Sequence, residues 1–272
     1  MSGASATRRG VSAAVGPAGL LLKVAQALFA VALLAVAAMP ATAAEPPKTV
    51  VLVHGTFVDG SSWSRVIPLL QAAGLRVIAV QNPLRSLADD VAVTKRAIEM
   101  APGPVILVGH SWGGMVISEA GMDDKVKALV YVAAFALPKG QSVNSASAGS
   151  PPAPWNAALK ADSGGYLWVP EETLGKYFAQ DAPKDEVAVI AATQVPTFNA
   201  IFDDRLTQTA YETKPSWYIS ANADGAIQPA VERAMAKAIK AHLTQLDGNH
   251  VIMWTKPREV ANVIIDAANS VQ

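Results

Sequence analysis

The stretch Pro104-Val105-Ile106-Leu107-Val108-Gly109-His110-Ser111-Trp112-Gly113-Gly114 decides the fold. Its proline-bounded apolar run reads as a buried strand, and the segment opening near Gly113 reads as a helix. A strand that turns sharply into a helix through Gly109-His110-Ser111-Trp112-Gly113 matches G-x-S-x-G in its proper setting. The turn forces neighbouring atoms together, so glycines flank the serine, and Gly114 extends the tolerance. Ser111 is therefore the candidate nucleophile; alone, the pentapeptide would equally suit a surface serine in an ordinary strand-to-helix turn.

On both sides, short β-branched runs alternate with stretches of helical period. Strands are expected at Thr49-Val53, Arg76-Val80, Pro104-Val108, Lys127-Ala134, Ser216-Ser220 and Leu243-Leu246. Helices are expected at Ser61-Ala73, with Trp63, Val66, Ile67 and Leu70 on one face, and at Leu87-Met100, Pro229-Ala241 and Pro257-Asn269. This alternation is the pattern of a parallel sheet covered by helices, the α/β class. It breaks between Phe135 and Pro215, a span too long for a simple loop, so a cap insertion is expected over about 136–215. Within it, Ser142-Pro154 reads as a flexible lead-in, and helical stretches lie around Glu171-Phe178 and Lys184-Thr193.

The 272 residues are 51% hydrophobic and 16% charged, which suits a large core and excludes a disordered chain. Lys+Arg and Asp+Glu are 22 each, but residues 1–44 hold Arg8, Arg9 and Lys23 and no acid. Residues 45–272 thus keep 19 bases against 22 acids, without the basic runs of a nucleic-acid binder. With no cysteine there is no disulfide framework, thiolate metal site or Cys nucleophile, and no H-x-x-x-H or acidic cluster suggests a metal. No cofactor is implied; Gly-His-Ser-Trp-Gly-Gly lacks the Lys-Ser/Thr of a phosphate loop.

A basic stretch ending at Lys23, an uncharged run from Val24 to Met39 and the small residues Ala41-Thr42-Ala43 fit an export signal over 1–44. Cleavage after Ala43 or Ala44 would give a periplasmic or secreted protein without stable membrane association. A retained membrane helix is the alternative reading, and Arg8-Arg9 leaves twin-arginine export open.

A serine hydroxyl needs a base, and histidine is the usual one. His250, in Gly248-Asn249-His250, lies between the last strand and the last helix, on the sheet edge shared with Ser111. His54 and His110 read as residues of backbone turns and His242 as a helix end. The histidine needs a carboxylate to hold its tautomer. Asp224 follows strand Ser216-Ser220 and is preferred to Asp123, Asp124, Asp203, Asp204 and Asp247. Two N–H donors should hold the oxyanion: Trp112, directly after Ser111, and Thr56, with Phe57 second, after the first strand. Phe57, Trp155, Trp168, Phe198 and Met253, with Trp112, are candidates for an apolar substrate cleft, although the insertion's aromatics could simply form its own core.

Val51-Leu52-Val53-His54-Gly55 with Trp63, Gly109-His110-Ser111-Trp112-Gly113-Gly114, Asp224-Gly225-Ala226-Ile227 and Asn249-His250-Val251-Ile252-Met253 together resemble the α/β-hydrolase superfamily. Within it the chain resembles the small single-cap group of methyl-ester esterases and hydroxynitrile lyases, across residues 48 to 270. The resemblance implies an α/β-hydrolase fold with an inserted cap and a serine esterase acting on small or medium apolar carboxylic esters. Hydroxynitrile lyases of this group carry a lysine directly after the catalytic histidine, whereas Val251 stands here. Cyanohydrin cleavage, or a ligand receptor on the same scaffold, are the alternatives; oligomeric state is not legible.

Overall fold

The computed structural model describes residues 46–149 and 151–271, together with Gly10; the remainder of the expected export segment lies outside the described residues. The chain begins with β1 (Thr49–Val53), α1 (Ile67–Ala72), β2 (Arg76–Ala79), α2 (Leu87–Glu99), β3 (Val105–His110), α3 (Gly113–Ala120) and β4 (Val126–Val132). The insertion carries α4 (Val143–Ala146), β5 (Lys160–Ala161), β6 (Tyr166–Trp168), α5 (Glu171–Tyr177), α6 (Lys184–Thr193) and β7 (Thr197–Phe198). The alternation resumes with β8 (Ser216–Ala221), α7 (Pro229–Ala238), β9 (His242–Leu246), α8 (Ile252–Thr255) and α9 (Pro257–Asn269).

Six strands form one sheet in the order β2-β1-β3-β4-β8-β9, every pairing parallel. Parallel sheets are covered on both faces, which is why β1 and β3 are buried throughout and apolar from Val50 to Val53 and from Val105 to Val108. Alternate side chains enter two cores. Val50, Leu52, Ile106 and Val108 face Leu70 of α1 and Val260, Ile264 and Ala267 of α9. Val51, Val53, Val105 and Leu107 face Val91 and Ile98 of α2, Met115 and Ile117 of α3, and Met235 of α7. Strand order reverses between β1 and β3, and ligands of open α/β sheets bind beyond the strands' carboxyl ends at such a switch point.

Three local expectations change. The helix over Ser61-Ala73 is broken into a 3-10 turn, Gly60–Trp63, and α1, which starts around Pro68 because proline's fixed φ and missing N–H suit a first turn. Trp63, Val66 and Leu70 are still fully buried. The helix expected to reach Ala241 stops at Ala238, and Lys240 adopts φ 56°, so His242 opens the exposed edge strand β9 instead of closing a helix. The lead-in over Ser142-Pro154 contains α4, closed by a capping box between Ser142 and Ser145, and a 3-10 turn at Pro154–Ala158. The insertion also holds an antiparallel sheet, β5-β6-β7, whose strands of two or three residues are too short to show a period.

Candidate active site

Ser111 sits at the apex of the turn from β3 into α3 with φ 52°, a left-handed conformation unfavourable for a residue with a side chain. Three backbone hydrogen bonds hold it there: its N–H donates to Val132 O, and its carbonyl accepts from the N–H groups of Gly114 and Phe135. The flanking glycines are steric requirements. A Cβ on Gly109 would lie 2.5 Å from Gly113 O, and one on Gly113 would lie 2.6 Å from Val53 O.

Loops after three different strands converge on one hydrogen-bonded chain. His250 Nε2 lies 3.0 Å from Ser111 Oγ, and His250 Nδ1 lies 2.6 Å from Asp224 Oδ2. All three residues are buried, which shields the chain from water. Asp224 Oδ1 accepts from the N–H groups of Ala226 (2.6 Å) and Ile227 (2.8 Å), so the loop that supplies the carboxylate also fixes its rotamer. With Nδ1–H donated to the carboxylate, Nε2 of a neutral His250 is left to accept the serine proton.

Two of the other histidines, His54 and His110, are held in buried hydrogen bonds. Burial lowers the basicity of His54, whose Nε2 accepts from Asn82 N–H at 2.8 Å, leaving Nδ1–H to donate to Gly55 O. Burial, then the neighbouring His250, holds His110 well below the usual histidine range. Its Nε2–H donates to His250 O at 2.9 Å and so anchors the backbone of His250. Sequence placed both in turns, but His110 is the last residue of β3, paired with Val132 of β4, and nothing in the sequence signalled these buried bonds.

The Ser111–His250 pair opens onto a cavity of about 600 Å³, within the range of small-molecule sites. Thr56 and Phe135 line it from the sheet side, Leu167 and Phe202 from the insertion, and Ile227 and Val231 from the segment entering α7. Neither the Thr56 nor the Trp112 N–H donates to another protein group among the described residues.

Residues 50–263 match the Alpha/beta hydrolase family. The chain belongs to that family. This alpha/beta hydrolase is 29% identical to Esterase PIR7B of Oryza sativa subsp. japonica, over 82% of this chain and 96% of the relative. It is 27% identical to a pyrethroid hydrolase of Sphingobium wenxiniae, over 81% and 88%. Among solved structures, polyneuridine aldehyde esterase aligns with TM-score 0.70 and 20% identity, over 82% of this chain and 99% of that one, which bears on the fold.

Of the candidates for the hydrolase's substrate cleft, the structure brings Trp155 to the cavity wall and places five elsewhere; the indole of Trp112 is fully buried and donates to Asp90. Phe57 is buried behind that wall, edge-on to Trp155 and Phe178. Met253 is fully buried in the core beneath α8. Trp168 is exposed on β6, because alternation along that strand sends Leu167 inward, and Phe198 packs on Tyr166 within the small sheet. Phe135, Phe178 and Phe202 are the wall aromatics that sequence reasoning missed; only the three-dimensional path of the insertion reveals them. Three of the rival acids are bonded elsewhere. Asp247 is exposed and accepts from Asn222 Nδ2, Asp203 accepts from Asn144, and Asp204 accepts from Leu87 N–H.

Proposed function

We propose that the chain is a carboxylic ester hydrolase in which Ser111 is the nucleophile, His250 the base and Asp224 the group that orients it. The observation that carries this reading is the Ser111–His250–Asp224 hydrogen-bonded chain opening on the cavity. Ser111 Oγ attacks the ester carbonyl as His250 Nε2 takes its proton; Asp224 stabilises the imidazolium; and the Trp112 and Thr56 N–H groups receive the oxyanion. His250 then protonates the departing alcohol, and a water, deprotonated by the same nitrogen, releases the acid from Ser111.

Among the described residues, no Lys, Arg, Asp or Glu lines the cavity, so its substrates are neutral esters of apolar acids or alcohols. The esterase and pyrethroid hydrolase named among the relatives support ester chemistry. Val251 follows His250, and a departing cyanide would find no Lys or Arg in the wall among the described residues. The test is a panel of neutral p-nitrophenyl esters beside mandelonitrile: turnover of esters and little release of benzaldehyde is expected. Faster, Ser111-dependent cleavage of mandelonitrile would make it a lyase, and tight binding of a small ligand without any turnover would make it a receptor. The reading extends to export: residues 1–44 act as a cleaved signal, and intact-mass analysis of the periplasmic or secreted protein should show a chain starting at Ala44 or Glu45. Full-length protein held in the membrane would contradict that.

A further inference from the structure

A second buried carboxyl stands beside Asp224. Glu232, eight residues later on α7, is fully buried. Its Oε2 accepts twice, from Ser220 Oγ at 2.8 Å and from Ala221 N–H at 2.8 Å. Its Oε1 is buried and receives no donor among the described residues, and the neighbouring carboxyl is that of Asp224. Asp224 takes three N–H donors, from Ala226, Ile227 and His250 Nδ1, whereas a carboxylate accepts about four hydrogen bonds. Two touching carboxyls cannot both be charged in a buried site, and the better-solvated partner keeps the charge. Asp224 has more donors, so the proton belongs to Glu232, on the one oxygen that accepts nothing.

We propose that Glu232 is a positioning residue: its neutral carboxyl donates Oε1–H to Asp224, completing the carboxylate's acceptors and fixing the rotamer in which Asp224 meets His250. The role rests on the ester-hydrolysis reading of Ser111, His250 and Asp224. Burial, reinforced by the Asp224 charge, pushes the Glu232 carboxyl up to about 9, so the proton is in place at neutral pH. The titratable groups that face it are Asp224 and, from β8, Tyr218, which burial keeps neutral. His250, after β9, is reached through Asp224, and His242 on β9 is exposed against Trp217. Ionisation of Glu232 above about pH 9 replaces a donated hydrogen bond with a like charge beside Asp224, so the relay loosens there.

Glu232→Gln separates this role from simple packing, because an amide oxygen can accept from Ser220 and Ala221 while its NH₂ donates to Asp224 at every pH. Expected for Glu232→Gln is kcat/KM at pH 7 within about threefold of wild type, without the fall above about pH 9. Glu232→Ala should lose on the order of tenfold or more, chiefly in kcat, since a misplaced relay group acts on the chemical step. In parallel, the His250 Nδ1–H proton resonance is followed with pH. It should shift with a midpoint near 9 in wild type and stay put in Glu232→Gln. Matching alkaline behaviour in wild type and Glu232→Gln would overturn the proposal, as would equal impairment of folded Gln and Ala variants. Should Glu232→Ala not fold, the wild-type and Gln comparison decides alone. The resonance needs no substrate, so a shift seen in a protein that turns over no ester would refute the esterase reading and leave the Glu232–Asp224 contact standing.

Discussion

At the scale of single residues, the account turns on which carboxylate serves His250. Asp224 is buried and bonded to His250 Nδ1, whereas Asp247, three residues before the histidine, is exposed and occupied with Asn222. Asp224→Asn should lower kcat by on the order of 10³- to 10⁴-fold with little change in KM, because an amide favours the wrong tautomer of His250. Asp247→Asn should stay within about threefold, as an exposed change away from the reacting atoms does. Steady-state kinetics of both variants checks this, and the reverse order would transfer the role to Asp247. A second residue-scale prediction concerns Asp90 beneath the elbow. Its Oδ2 accepts from Trp112 Nε1–H at 2.8 Å and its Oδ1 from Leu84 N–H at 3.0 Å. Burial outweighs those bonds and raises its carboxyl from 3.8 to about 6. Between those values the folded protein holds a proton the unfolded chain has lost, so this residue's contribution to stability falls as pH rises from about 4 to about 6 and is level above. The Tm of wild type minus that of Asp90→Asn should therefore fall across that window and then stay constant; a difference flat from pH 4 to 7 would refute it.

Among elements, the parallel strands were legible because both faces of the sheet are covered and a buried parallel strand is a near-continuous apolar run, as Val50 to Val53 and Val105 to Val108 are. The insertion was less so. Its helices at Glu171–Tyr177 and Lys184–Thr193 carried a readable period, while β5, β6 and β7 are stabilised by pairings across sequence that no local window contains. The site followed the same division. Ser111, His250 and Asp224 lie next to legible strand ends, but the cavity wall depends on how the insertion returns over them, so Trp168 and Phe198 misled and Phe178 and Phe202 were not foreseen. One clasp holds that return in place: Trp254 Nε1–H donates to Glu186 Oε2 at 2.6 Å, and Arg65 pairs with the same carboxylate of α6. The prediction at this scale uses Val231, an exposed wall residue of α7. Val231→Trp should narrow the cavity without touching the relay. It should cut kcat/KM on p-nitrophenyl octanoate by on the order of tenfold and leave the acetate ester within about threefold. Equal losses on both esters would show that this wall does not select chain length.

Across the whole molecule, the sheet gathers Ser111 after β3, Asp224 after β8 and His250 after β9 on one edge, while the strand-order reversal puts the Thr56 loop after β1 beside them. Residues 139 positions apart thereby share a hydrogen bond. On the proposed reading, this convergence makes Ser111 a covalent nucleophile. That role is tested most directly by treating the protein with a fluorophosphonate ester and mapping the adduct by peptide mass spectrometry, with hydrolysis of p-nitrophenyl butyrate followed in the same samples. The account predicts one adduct, on Ser111, with activity lost in proportion to labelling, and in Ser111→Ala no adduct and kcat lower by on the order of 10⁴-fold or more with folding intact. Butyrate hydrolysis by Ser111→Ala within tenfold of wild type, or inactivation with the label on another residue, would contradict it.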